Sequence, residues 1–124
     1  MRPLDEFIAG SVALVIDGNV ASRAACVQML RDAGVGELVQ AAHPQDGRRL
    51  IESRRFDIVV CEFHFDRDPM NGLELMDDLR QAGLLPLSSV VVMISGEAGY
   101  SRVAEAAEAA LDAYLIKPFN LVNL

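Results

Sequence analysis

Phe56-Asp57-Ile58-Val59-Val60-Cys61-Glu62 reads as a strand covered on both faces that ends on a charge. Ile58 to Cys61 are apolar in succession, without the polar alternation of a half-solvated strand. A parallel strand with helices packed on both sides needs such a run. The same grammar recurs on either side of it. Val12-Ala13-Leu14-Val15-Ile16 runs into Asp17, Val90-Val91-Val92-Met93-Ile94 into Ser95, and Tyr114-Leu115-Ile116 into Lys117-Pro118. In an open α/β sheet, ligands and chemistry collect outside the carboxyl ends of the strands. Asp17, Glu62, Ser95 and Lys117 are therefore expected to share one site.

The segments between these runs have helical period. Val20, Ala24, Val27 and Leu30 fall on one stripe, and Gly34 and Gly36 act as terminators, so this helix is expected to end near Ala33. Leu38 to Ala41 is a second short strand. His43-Pro44 opens the next helix, since proline suits a first turn whose amide has no partner, with Leu50 and Ile51 turned inward. Leu73, Met76 and Leu79 mark a third helix up to Gly83, and Pro86 breaks the chain before the following strand. Tyr100 to Leu111 is rich in Ala and Glu, with a shallow stripe of Val103, Ala107 and Ala110. Asn120 could cap a fifth helix on Leu121 and Val122, which Leu124 cuts short, so the chain is expected to be the front of a longer polypeptide. Strand and helix alternation with right-handed crossovers predicts one α/β domain over residues 1–124. It is a flavodoxin-like, doubly wound, five-stranded parallel sheet in order 2-1-3-4-5, its fifth helix truncated or missing.

Composition narrows the function. With 124 residues, 52% of them hydrophobic, the chain can bury one real core. Its net charge of −7 gives no positive field for nucleic-acid phosphates, so direct nucleic-acid binding is not expected. The first ten residues carry Asp5 and Glu6 and no apolar signal core, and no apolar run approaches the roughly eighteen residues of a membrane span. A cytoplasmic location without membrane contact is the expectation. Cys26 and Cys61 match no disulfide framework or metal spacing and read as reduced core thiols.

The order and spacing of the four tips resemble the receiver domain of bacterial two-component response regulators, over nearly the whole chain. In that family an acidic pair after strand one holds magnesium and an aspartate after strand three accepts phosphate. A Ser or Thr after strand four bonds the phosphoryl group, and a Lys-Pro after strand five anchors it. The resemblance makes Asp17 the first acid, Glu62 the acceptor position, Ser95 the hydroxyl, and Lys117 with Pro118 the anchor. It makes Ser95 and Tyr114 the switch pair, and puts Asn71-Gly72 where Asp-Gly is usual. It implies protein partners: a histidine kinase, a downstream effector, or a second copy through the Tyr100 to Leu111 face. The stretches Asp77 to Arg80, Leu84 to Ser88 and Gly96 to Ala98 also resemble receivers that precede tetratricopeptide repeats in some proteobacterial regulators.

Three departures bear on function. Gly18 replaces the second acid, which would contact the metal directly, and magnesium held by too few carboxylates is bound weakly. Glu62 carries its carboxylate about one carbon-carbon bond deeper than an aspartate would, and misplacements of about 1 Å can cost on the order of a hundredfold in positioned chemistry. The loop from Phe63 to Met70 is longer than usual and carries Asp66 and Asp68. The expectation is a pseudo-receiver, not an enzyme, that binds Mg2+ poorly and uses no other cofactor. Lys117 bridges Asp17 and Glu62, and Glu62 imitates a phosphorylated acceptor by reaching toward Ser95 and Lys117. One alternative is a receiver phosphorylated on Glu62, Asp66 or Asp68. Another is a flavodoxin-like catalytic domain, which shares the sheet order and would need its own flavin loop or nucleophile. Locally, Asp17 could cap the helix from Val20, Ser95 could satisfy loop amides, and Tyr114 could simply pack. His43 reads as a helix-entry residue. His64 with Asp17 and Glu62 forms a candidate metal set, but one without characteristic ligand spacing.

Overall fold

The computed structural model describes residues 3–66, 68–96 and 111–117, with backbone alone at 3, 4, 114 and 116. Elements run α1 (Pro3–Ala9), β1 (Val12–Ile16), α2 (Val20–Asp32), β2 (Glu37–Ala41), α3 (Pro44–Ser53), β3 (Ile58–Glu62), α4 (Gly72–Gln81), β4 (Val90–Ser95) and β5 (Ala113–Ile116). The five strands form one sheet in the order β2-β1-β3-β4-β5 with every pairing parallel, as the strand and helix alternation predicts. Residues 97–110 and 118–124, which hold the fourth crossover and the cut fifth helix of the sequence reading, lie outside the described residues.

Alternate residues of the continuous apolar strands feed two cores. Leu14, Ile16, Val59, Cys61, Val91 and Met93 point to one face, where Ile51 of α3 and Leu75, Met76 and Leu79 of α4 cover them. Val15, Val60 and Ile94 point to the other, against Cys26 and Val27 of α2. Burial on both faces is why these strands show no polar alternation. The free thiols of Cys26 and Cys61 thus sit in opposite layers. Among the described residues, no helix is long and apolar enough to cross a membrane.

Three local devices position the site. The Asn19 side chain caps α2 by accepting from the Ser22 amide at 2.8 Å, and Gly34 after the helix end has φ +99. Pro44 occupies the first turn of α3, as its ring requires. Asn71 and Glu74 form a reciprocal capping box at the start of α4.

Two findings differ from the sequence reading. The stripe predicted for α2 holds in its second half, where Val27 is buried and Leu30 packs on the core beside buried Cys26 and Met29, but Val20 is 70% exposed and Ala24 is exposed. In the first turns of the helix Arg23 lies at the sheet edge instead, where it bonds Gln40 and the Asp17 carbonyl. The second difference is α1, which the sequence reading did not anticipate. It packs so closely on the turn before β2 that a Cβ at Gly36 would stand 2.1 Å from the Ala9 carbonyl oxygen.

Candidate functional site at the strand tips

Register places the site. Ile16 pairs with Cys61, which brings Asp17 level with Glu62, and Glu62 pairs with Ile94. Ser95 pairs with Ile116, so Lys117 emerges one residue further out on the neighbouring strand. Its amide donates to the Ser95 carbonyl at 2.7 Å, which fixes where the long side chain starts.

Asp17 is fully buried. Its Oδ1 accepts from the Asn19 amide at 2.9 Å, and its carbonyl accepts from Arg23 Nη1 at 2.8 Å. Asn19 rather than Asp17 caps α2, which corrects the capping alternative: the acid sits two residues too early and accepts from the Asn19 amide instead. Gly72 must be glycine, because a Cβ there would stand 2.0 Å from the Glu62 carbonyl oxygen. The Gly72 amide closes this loop on the Phe63 carbonyl at 2.7 Å. Ser95 is 3% exposed at the end of β4.

The Lys117 ammonium donates to Glu62 Oε1 at 3.0 Å and lies 3.3 Å from Asp17 Oδ2. This is the bridge expected from the sequence. The other Glu62 oxygen, Oε2, accepts from the Gly18 amide at 3.1 Å. Two carboxylates thus share one ammonium, and their environments separate them. Burial pushes the Asp17 carboxyl up, but hydrogen bonds with Glu62, Ser22 and the Asn19 amide and the Lys117 charge outweigh it and hold Asp17 below its ordinary value. Burial also pushes Glu62 up, and its hydrogen bond to Asp17 adds to that. Lys117 and the Gly18 amide pull the other way without offsetting it. Burial lowers Lys117, yet the two acids more than compensate and hold its ammonium above the ordinary value. Of the two carboxyls, Asp17 is thus the more readily ionised and Glu62 the less.

The residues present do not fit a magnesium ion. Magnesium demands a near-octahedral set of oxygens. Here position 18 offers no carboxylate, and the Lys117 ammonium sits between the two acids that remain. Among the described residues, no group of three or more His, Cys, Asp or Glu side chains could hold a metal ion. The candidate set of Asp17, Glu62 and His64 is corrected accordingly: His64 is 66% exposed and turns to Asp66 at 3.3 Å, in an exposed loop that owes nothing to the buried acids. Beside Glu62 a cleft of about 470 Å³ opens between Gly18, Asn19, His43, His64 and Asp66. Burial raises the Cys26 thiol to about 12 and raises Cys61 further, so neither is a nucleophile near neutral pH.

The Tyr114 side chain and Pro118 lie outside the described residues. The sequence reading missed two contributors, the Gly18 amide and Arg23. A main-chain donor leaves no mark in a sequence, and an arginine outside the apolar stripe gives no sign there of the carbonyl it reaches.

A tip cluster of acid, acid, hydroxyl and lysine on a 2-1-3-4-5 sheet defines a class, and the comparisons agree with it. The chain belongs to the response regulator receiver domain family, which it matches over residues 13–124, and so to the modules of two-component signalling. It is 28% identical over 114 residues to chemotaxis protein CheY-3 of Vibrio cholerae, covering 90% of this chain and 83% of that protein. It is 27% identical over 106 residues to chemotaxis protein CheY of Pseudomonas aeruginosa, covering 86% and 83%. Among solved structures it is similar to the receiver domain of the histidine kinase CKI1 from Arabidopsis thaliana complexed with Mg2+ and BeF3−. That match has a TM-score of 0.80 and 25% identity and covers 96% of this chain and 89% of the other.

Proposed function

We propose that this receiver domain is a signalling interaction module that does not undergo ordinary phosphorylation. The observation that carries the reading is the tethering of the Glu62 carboxylate, by Lys117 at 3.0 Å and by the Gly18 amide at 3.1 Å, beside a turn without a second acid. Phosphoryl transfer relies on positioning and on metal charge, with little else for the protein to supply. Here the carboxylate at the acceptor position is engaged and is displaced from where an aspartate would end. Magnesium affinity is correspondingly poor. The Glu62–Lys117 contact partly imitates what an acyl phosphate offers, although a carboxylate has fewer acceptor oxygens and less charge. The domain then rests in one state and signals by what it binds: a histidine kinase, a downstream effector, or a second copy.

The test is exposure to acetyl phosphate, and separately to Mg2+ with beryllofluoride, followed by intact mass and by thermal midpoint. Wild type is expected to take up no phosphoryl group and to show no shift with beryllofluoride. The pair Glu62→Asp with Gly18→Asp is expected to respond, because nucleophile position and metal charge act as one unit. Phosphoryl uptake by wild type at a rate comparable to that pair would end this reading. Peptide mapping would then tell Glu62 from Asp66, which is 93% exposed, and from Asp68, whose Oδ1 already accepts from the Met70 amide at 2.9 Å.

A further inference from the structure

Gly18 lacks a carboxylate, but its own contacts give it a positive role. Its amide lies 3.1 Å from Glu62 Oε2. A Cβ built at position 18 would stand 3.5 Å from the Ala42 carbonyl oxygen and 3.9 Å from both Phe65 Cδ1 and Glu62 Oε2. These are ordinary contacts, and the backbone at Gly18 is outside the left-handed region, so neither crowding nor strain demands glycine. Gly36, Gly47 and Gly72 differ, since a Cβ there would come within 2.1, 2.5 and 2.0 Å of its nearest neighbour. What position 18 does not accommodate is charge. A carboxylate on that Cβ would lie within the range of about 4–6 Å at which like charges disfavour each other's ionised forms, and Lys117 is already shared by two acids.

We propose that Gly18 is the positioning residue for Glu62: its amide holds the second carboxylate oxygen, and its missing side chain leaves room, in charge as in volume, for that carboxylate. Strand β3 delivers the acid about 1.5 Å further than an aspartate would, one carbon-carbon bond. The turn between β1 and α2 thus receives from Glu62 a carboxylate that its own residue 18 does not supply. The count stays at two acids against one ammonium. Gly18 and Glu62 form one coupled unit. The inference rests on contacts alone and is read from folding and from an amide resonance, so its failure is distinguishable from a failure of the phosphorylation reading.

The experiment is a double-mutant cycle by chemical denaturation near neutral pH, with Gly18→Asp and Glu62→Asp made singly and together. Gly18→Asp is expected to lower the folding constant at least about tenfold more when Glu62 is kept than when Glu62→Asp accompanies it. Gly18→Asn, which adds similar volume without charge, is expected to stay within about threefold of wild type. In parallel, Glu62→Ala is expected to move the Gly18 amide proton upfield, out of proportion to its neighbours, and to speed its exchange. That measurement decides the matter if Gly18→Asp does not fold in either background. Equal costs of Gly18→Asp in both backgrounds would overturn the proposal, as would a Gly18 amide that ignores Glu62→Ala. So would a Gly18→Asn variant as damaged as Gly18→Asp, since volume would then explain everything.

Discussion

Lys117 is the residue on which the site's electrostatics turn, because its ammonium meets both acids and Asp17 is fully buried. Removing one partner of a buried pair leaves an uncompensated charge and typically costs about 3–5 kcal/mol. Lys117→Met is therefore expected to lose about that much stability near neutral pH, measured by urea unfolding. The deficit should shrink as acid titrates Asp17 and Glu62, since protonated carboxyls no longer need the ammonium. A deficit that stayed constant down to about pH 4 would mean that Lys117 acts through packing of its stem. The types and spacing of Asp17, Glu62 and Lys117 were legible in the sequence because each ends an apolar run. The amide of Gly18 was not, since every residue but proline carries one.

At the scale of elements, α4 shows how a helix start builds the floor of the site. Its capping box satisfies amides that the first turn leaves open, and Asn71→Ala is expected to cost about 1 kcal/mol without disturbing Glu62. Gly72→Ala should behave differently. Its Cβ would meet the Glu62 carbonyl oxygen at 2.0 Å and Cys61 Sγ at 3.0 Å, so either α4 or the end of β3 must move. A loss of about 3 kcal/mol, at the top of the overpacking range, is expected, with the Gly18 amide resonance shifting as Glu62 is carried along. If Gly72→Ala cost no more than Asn71→Ala, the close approach would not constrain β3. Strands and helix stops were readable because apolar runs, Pro44, Gly34 and Gly83 act within a few residues of themselves. The seven-residue α1 was not, since it is too short to hold by propensity and depends on a fit against Gly36 that only the folded chain creates. The start of α2 was over-read for a related reason: Val20 and Ala24 continue the apolar stripe in sequence, but only Val27 and Leu30 reach the core in the fold.

For the whole molecule, the three shifted groups of the site set how stability follows pH. Asp17 is held below its ordinary value of 3.8, so its contribution is present above that pH and is lost as pH falls through the folded value. Glu62 is held above its ordinary 4.5, so its contribution is full below that pH and is lost as pH rises through the folded value. Lys117 is raised above 10.5, so its contribution survives until strongly alkaline conditions. From the site's side, stability is then greatest in mildly acidic solution and declines toward neutrality as Glu62 is forced to ionise beside Asp17. Glu62→Gln cannot ionise, so it is expected to gain on wild type as pH rises from the ordinary carboxyl value of 4.5 through the folded value of Glu62. Paired urea curves across that range check the sign. A difference that is flat with pH would put the shared proton elsewhere, and one that grows toward acid would place it on Asp17. A rise toward neutrality would instead mark a receiver whose charge balance is written into its own side chains, with Glu62 giving up its proton at higher pH than an ordinary carboxyl because burial and Asp17 oppose its charge.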